Sequence, residues 1–417
     1  MIKFSLKSEF FKNVVTLITG TTIAQLIPIA ISPLLTRLYA PDDFAVWGLY
    51  MSIVMIIISG VSTGNYEFAI VLPEEDRKAL KLTELSIIAA SAVSFILLLI
   101  SILFNTQTGI LLKNTNICQW LYLIPFSVLT LSILNSFLYW LNRCKSYKAM
   151  ASNKIIKNTG ISVANLGFGV SGFTKYGLIS GQILGDFIAA FSLWRKINKN
   201  HKLFSEIKWK EYKLLGKEYK EFPLLSMPTN LCNNLSSYIP ILLISIWFSS
   251  TLTGFYYFSL KILSIPMAFI GNAVTQTFYQ KFTEIISDKT HNPKIFLVKI
   301  WFTLFAIGVI PLTIIFFRGG DIFSFVFGSQ WKDAGEIAAI LSPMILITFI
   351  SSPTSNSFII LRKQNFSLLF GILLLILRPL AFYIGFKCGS FNVGLKFLVI
   401  FEIVETVLYN LVIWKNL

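Results

Sequence analysis

Long apolar runs recur along the whole chain and are separated by short polar stretches. Twelve of these runs, about 17 to 25 residues each, are long enough for a helix to cross a bilayer. They lie near residues 13–35, 44–64, 83–104, 118–139, 155–173, 176–194, 223–248, 253–275, 295–317, 334–358, 366–386 and 391–413. The pattern therefore predicts an all-α polytopic membrane protein with about twelve transmembrane helices.

The fifth run, 155–173, is the most polar of the twelve. It contains Asn158, Asn165 and five residues that are glycine or threonine. A helix of this composition cannot be surrounded by lipid, so we expect it to face protein or a cavity. The alternative is that it stays in the cytoplasm as a loop, which would invert the orientation of every later helix.

Positive charge is distributed unevenly between the polar stretches. With the N-terminus inside, the inward segments contain 26 Lys and Arg residues and the outward segments contain 6. Because positive residues are retained on the cytoplasmic side, this asymmetry predicts an even number of spans with both termini in the cytoplasm. It also explains the net charge of +16 without a nucleic-acid partner, which we exclude.

The longest polar stretch, 195–222, divides the chain into two halves. It carries nine basic residues, and Trp209, Tyr212 and Tyr219 recur in it at helical spacing. This composition predicts an amphipathic linker on the inner leaflet, between an N-terminal lobe, 1–194, and a C-terminal lobe, 223–417. Prolines in matching helices favour two six-helix lobes around a central cavity. A weak internal repeat agrees with this division, since an aromatic-glycine pattern occurs at Phe44–Tyr50 in the first half and at Gly254–Tyr257 in the second.

Composition agrees with this architecture. Hydrophobic residues make up 55% of the chain and charged residues 13%, and the mean hydropathy is +0.70. This leaves too little polar surface for a water-soluble globule of 417 residues. The four cysteines are scattered without a CxxC spacing, so we expect no metal site, no disulfide framework and no cofactor.

Three cations in or beside the apolar runs are candidates for substrate binding: Arg37, Lys261 and Arg378. A charge near the bilayer centre is costly and therefore faces a partner or an aqueous cavity. Lys261 and Arg378 lie too deep to reach the headgroups, whereas Arg37 could also extend to an interface. Arginine binds phosphate oxygens with two parallel hydrogen bonds and lysine adds a compact charge, so a diphosphate suits these cations.

Four acidic residues lie in or near the same runs: Glu67, Asp186, Glu402 and Glu405. They are either counter-ions of the cations or sites for a coupling ion, a proton or sodium. The sequence leaves both roles open.

Several motifs together resemble the Wzx-type polysaccharide flippases of the multidrug/oligosaccharidyl-lipid/polysaccharide exporter superfamily. The resemblance covers nearly the whole chain and is strongest over Ser32–Tyr39, Pro41, Asp43–Phe44 and Gly64–Pro73, and again over Gly254–Tyr256, Lys261–Leu263, Pro266 and Gln276–Tyr279. Two positions depart from the family pattern. Position 261 is often Arg in relatives, and position 65 is Asn where relatives commonly have Arg.

The resemblance implies a MATE-like fold and a transporter rather than an enzyme. Its implied substrate is an undecaprenyl-diphosphate-linked oligosaccharide, moved across the bacterial inner membrane for O-antigen, lipopolysaccharide or other surface polysaccharide assembly. The implied partners are membrane lipids and other assembly proteins, a polymerase and a chain-length regulator. The alternatives are a cation-coupled multidrug exporter of the same superfamily and a membrane enzyme of the same pathway, a polymerase or ligase.

Overall fold

The computed structural model describes residues 2–201, 203–204, 207–288, 292–361 and 363–417. Within these residues, twelve helices have 17 residues or more, and we number them in chain order. They are α1 (Ile2–Leu38), α2 (Pro41–Ile57), α3 (Asp76–Leu111), α4 (Ile124–Arg143), α5 (Tyr147–Val170), α6 (Thr174–His201), α7 (Met227–Trp247), α8 (Ser250–Asp288), α9 (Pro293–Phe327), α10 (Lys332–Ser351), α11 (Gln364–Lys387) and α12 (Phe391–Lys415).

Shorter helical pieces connect or extend these helices. The linker helix, Trp209–Glu218, lies between α6 and α7. The others are two π-helical turns, Ile58–Ser62 and Phe222–Ser226, the 3₁₀ turns Tyr66–Val71, Thr115–Ile117, Ser329–Trp331 and Ser352–Asn356, and the short α-helices Cys118–Leu121 and Ser357–Ile360. The amphipathic linker predicted from the sequence therefore contains a helix, although residues 202, 205 and 206 lie outside the described part.

The prediction of an all-α membrane protein is confirmed, and each of the twelve long helices covers most of one apolar run. Nine helices of the described residues are long and apolar enough to cross a membrane, and α5, α7 and α8 are not among them. Several boundaries differ. The run 118–139 is divided between Cys118–Leu121 and α4, the runs 44–64 and 223–248 each include residues of a π-helical turn, and the run 334–358 continues through the 3₁₀ turn Ser352–Asn356. Pro125 lies in the first turn of α4, where its missing N–H costs no helical hydrogen bond.

Packing divides the chain into two compact units. One contains Met1–Tyr39 and Leu49–Tyr238, and the other contains Ala40–Gly48 and Ile239–Leu417. These units differ from the predicted lobes in two places: the start of α2 groups with the C-terminal unit, and the linker with the start of α7 groups with the N-terminal unit. The division into two moving lobes stays a prediction.

In the N-terminal unit, α5 packs against α1 and α6, and α3 packs against α4. The polar residues of α5 bond to these neighbours. Asn153 Nδ2 donates to the Ala189 carbonyl (2.9 Å), and the Tyr39 hydroxyl donates to the Asn165 carbonyl (2.6 Å). The fifth apolar run is therefore a helix facing protein rather than a loop, as its composition predicts.

In the C-terminal unit, α10 is central and packs against α8, α9 and α12, while α11 packs against α12. Its aromatic core joins the start of α2 to α8. The Phe258 ring lies 4.4 Å from Trp331 and 5.2 Å from Phe44, measured between centroids. A Cβ added at Gly254 would lie 1.9 Å from the Pro41 carbonyl oxygen, so only glycine permits this close approach.

Candidate functional site

Lys261 lies on α8, twelve positions into a helix that begins at Ser250, or about 16 Å along its axis. Its Nζ is 3.4 Å from the centroid of the Trp47 ring and 5.9 Å from that of Tyr257. Trp47 and Tyr257 pack edge to face at 5.7 Å. The start of α2 and the second turn of α8 thus supply an aromatic wall on which the ammonium group lies.

The local sequence explains this contact. A Cβ added at Gly48 would lie 2.7 Å from Tyr257 Cγ, and one at Gly254 would lie 1.9 Å from the Pro41 carbonyl oxygen. The two glycines therefore let α2 and α8 approach closely enough for Trp47 to reach Lys261. Both belong to the aromatic-glycine pattern that recurs in the two halves of the sequence.

Lys261 has no carboxylate partner among the residues that the structure describes. A cation over an aromatic ring gains about 2 kcal/mol when desolvated, but its charge is not neutralised. Trp47 Nε1 is also buried and has no hydrogen-bond partner within the described residues. Within the described residues, the ammonium group of Lys261 therefore has no anionic partner and the Trp47 N–H has no acceptor.

Arg378, in α11, is in a different situation. Its Nε donates to Glu402 Oε1 of α12, and the side chains are only 19% and 7% exposed. Glu405 lies one turn further along α12 and is also buried. Among the described residues it accepts a hydrogen bond from the Thr406 hydroxyl, at 3.3 Å. The structure gives Arg378 a counter-ion, while its contact with substrate stays a prediction.

Asp186, in α6, also pairs with a cation. Its Oδ1 is 2.7 Å from Lys157 Nζ of α5, and Gln182 Nε2 donates to Oδ2 at 2.9 Å. Sequence reasoning missed Lys157, because it was counted with the cytoplasmic basic residues before the fifth run. Lys157 lies inside the fifth run, 29 residues before Asp186 in the next helix. This is the only sequence pattern that could have indicated the ion pair.

Arg37 and Glu67 belong to the N-terminal unit, and neither forms an ion pair within the described residues. Arg37 is exposed in the last turn of α1. Glu67 is buried in the connection between α2 and α3, where it accepts a hydrogen bond from the Thr63 hydroxyl. Burial raises the pKa of Glu67 more than this hydrogen bond lowers it.

Asn65, the position where related flippases commonly have Arg, shapes this same connection. Its φ of 59° is left-handed, a conformation that Asn tolerates better than most residues. The side chain is buried, and its backbone N–H donates to the Thr63 hydroxyl at 3.2 Å. In this chain, position 65 is part of a turn and offers no cation to a ligand.

The comparisons with known proteins agree with the helical architecture. The family described as polysaccharide biosynthesis protein matches residues 34–336. No curated protein matches the chain.

Solved structures with a similar fold are membrane transporters. An inward-facing multidrug resistance MATE family transporter of the MOP superfamily has a TM-score of 0.69 at 13% identity, over 96% of this chain and 94% of that one. The lipid II flippase MurJ, in an inward closed conformation, has a TM-score of 0.67 at 13% identity, over 99% and 87%. A MOP superfamily transporter from Pyrococcus furiosus, described as having a binding pocket of reverse polarity, has a TM-score of 0.61 at 11% identity, over 97% and 95%.

Proposed function

Because the chain belongs to the polysaccharide biosynthesis protein family and has the fold of MOP superfamily transporters, we propose that it is a flippase for lipid-linked oligosaccharides. Its cargo is an undecaprenyl-diphosphate-linked repeat unit of O-antigen or another surface polysaccharide. The protein moves this unit from the cytoplasmic to the periplasmic leaflet of the bacterial inner membrane, with its own termini in the cytoplasm. The observation that carries the proposal is that Lys261 lies on Trp47 and has no carboxylate partner among the described residues.

An anionic headgroup would supply the counter-ion that Lys261 lacks within the described residues. A cation inside a membrane protein is retained against its desolvation cost when it meets a partner of opposite sign. Within the described residues that partner is absent for Lys261, so we assign the role to the diphosphate of the cargo. The Trp47 N–H supplies a hydrogen-bond donor next to the ammonium group.

Release of the cargo is compatible with this arrangement. The aromatic rings of Trp47 and Tyr257 hold the ammonium group when no phosphate is bound. Lysine binds phosphate as a single point charge, whereas arginine forms two parallel hydrogen bonds. A site that must bind on one side of the membrane and release on the other benefits from the weaker contact.

Export of cationic drugs is the rival within the same fold. A cationic substrate requires an acidic site. Of the three candidate acids in the described membrane helices, Asp186 and Glu402 already pair with cations and Glu405 does not. The Pyrococcus furiosus transporter is described as having a pocket of reverse polarity, so the fold accommodates pockets of different sign. Lys261, which pairs with no carboxylate in the described part of the chain, favours an anionic cargo here.

The test is translocation of a fluorescent undecaprenyl-diphosphate-linked sugar in proteoliposomes containing the full chain. We expect Lys261→Gln, which keeps most of the length of the side chain but removes its charge, to lower the flipping rate at least tenfold. Lys261→Arg should retain most of the rate, because it keeps the positive charge and introduces the residue often found at this position in related flippases.

Lys299→Gln is the matched control, since Lys299 is an exposed cation on the membrane helix α9. It should flip cargo at the wild-type rate. Wild-type flipping by correctly folded Lys261→Gln would refute the proposed site. Failure of wild-type protein to flip this cargo, combined with export of a cationic dye, would instead support the multidrug rival.

A further inference from the structure

The linker helix, Trp209–Glu218, has two faces with different environments. Tyr212 and Leu215 are buried, one turn apart, on the face that packs against α3. Trp209 and Leu214 are 65% and 60% exposed. This packing fixes the rotation of the linker helix about its own axis and determines which of its residues face outward.

Glu84 of α3 is the main attachment point for this segment. It is only 1% exposed and accepts hydrogen bonds from the Tyr212 hydroxyl (2.6 Å), the Phe204 backbone N–H (2.7 Å) and Lys81 Nζ (2.8 Å). Burial and the neighbouring Glu84 raise the pKa of Tyr212, so its hydroxyl stays a donor at neutral pH. Through these hydrogen bonds, the buried Glu84 carboxylate attaches Phe204 and Tyr212 to α3.

Two further contacts hold the end of the helix. Lys78 Nζ lies 2.6 Å from Glu218 Oε1, and the Tyr66 hydroxyl donates to the Gly216 carbonyl at 3.3 Å. All these contacts lie within the N-terminal unit. The linker helix thus belongs to that unit and is not a free tether.

The outer face carries three exposed lysines, Lys210, Lys213 and Lys217, at spacings of three and four residues. None of them pairs with a carboxylate among the described residues. Trp209 and Leu214 flank these lysines, since Trp209 lies four positions before Lys213 and Leu214 lies three positions before Lys217, and residues three or four positions apart are neighbours on a helix surface. We call this surface the lysine face.

We propose that the lysine face binds anionic phospholipid headgroups and anchors the N-terminal unit to the cytoplasmic leaflet. Lysines beside an exposed tryptophan and leucine match the chemistry of a membrane interface, where the ammonium groups meet phosphates and the apolar side chains enter the headgroup region. The buried Glu84 attachment prevents the helix from turning this face inward. The proposal is independent of the cargo.

The test places an environment-sensitive fluorophore on a single cysteine at Leu214→Cys, in a background without the four native cysteines. The full chain is placed in nanodiscs of phosphatidylcholine alone or with 30% phosphatidylglycerol, with brominated acyl chains as quenchers. We expect a blue shift and quenching in the anionic discs that 0.5 M salt reverses, because surface charge is screened at that ionic strength. Each basic residue near an anionic surface contributes about a fivefold change in binding, so three contribute about a hundredfold.

The triple variant Lys210→Gln, Lys213→Gln, Lys217→Gln should lose the response. The matched control replaces three other exposed lysines of the same unit, Lys145, Lys148 and Lys196, by Gln and should keep it. Glu84→Gln, which weakens the attachment, should reduce the difference between the two disc types. Equal fluorescence in both lipids, or equal loss in both triple variants, would overturn the proposal and favour an acidic protein as the partner of this face.

Discussion

The ion pair between Arg378 and Glu402 allows a counter-ion to be distinguished from a substrate ligand. Removing Glu402 leaves a guanidinium that is 19% exposed and cannot shed its charge. Removing one partner of a buried ion pair lowers the free energy of unfolding by about 3–5 kcal/mol. Because Arg378 is partly exposed to solvent, we expect the loss for Glu402→Leu to lie near the lower end of this range. Removing Arg378 leaves a carboxylic acid that can take up a proton, so Arg378→Met should cost about 1–2 kcal/mol.

The double variant Arg378→Met, Glu402→Leu should be within about 1 kcal/mol of the wild type, because no unpaired charge remains and the two apolar side chains fill similar volume. The assay is unfolding of the purified chain in detergent, followed by tryptophan fluorescence, with all four proteins in one double-mutant cycle. An additive cycle, or a stable Glu402→Leu variant, would refute the assignment of Glu402 as counter-ion.

Flipping by the stable double variant then decides the second role of Arg378. If the double variant still transports cargo, Arg378 has only a structural role, and Lys261 is the cation that binds the cargo. Loss of transport with unchanged stability would support contact between Arg378 and the cargo, as the sequence predicts.

Two further predictions concern packing and pH. Gly254→Ala should destabilise the protein by about 1–3 kcal/mol in the same unfolding assay, because its Cβ would overlap the Pro41 carbonyl oxygen. Gly167→Ala, a helical glycine with no atom within 4 Å of the added Cβ, should be neutral or stabilising by up to about 1 kcal/mol, and equal effects would contradict the packing argument. Because the pKa of Glu67 is raised in the folded protein, its protonated form is favoured there. The free energy of unfolding should therefore fall as pH rises from the ordinary Glu pKa through the raised pKa of Glu67. In Glu67→Gln, the melting temperature should fall less steeply over this pH range. An unchanged slope of melting temperature against pH would contradict the prediction.

The sequence predicted the long helices well because hydrophobic length is a local property. Each long helix covers most of one apolar run, and even the polar fifth run forms a helix, in which Asn158 Nδ2 donates to the Ala24 carbonyl. The helix ends were less predictable, since α4 starts at Ile124, six residues after the beginning of its run, with Pro125 in its first turn. Such a boundary depends on one residue that a hydropathy average does not resolve.

The pairing of charges could not be predicted, because it depends on the rotation and packing of helices. Lys261, Arg378 and Asp186 are each visible in the sequence as charges in apolar runs. Nothing in their spacing shows that Asp186 meets Lys157 or that Lys261 meets the ring of Trp47. The aromatic-glycine pattern was recognised as a repeat, but its role in bringing α2 against α8 required the structure.

The pairing pattern also narrows the choice of residues for a coupling ion. Asp186 and Glu402 each have a cation within the described residues, so binding a proton or sodium there would first require breaking an ion pair. Glu67 and Glu405 are buried, and in the described part of the chain their hydrogen bonds come from Thr63 and Thr406 rather than from a cation. A buried carboxylate outside an ion pair is the kind of group whose charge an incoming proton or sodium ion would neutralise. If transport of an anionic cargo is coupled to such an ion, Glu67 and Glu405 are therefore the first residues to test.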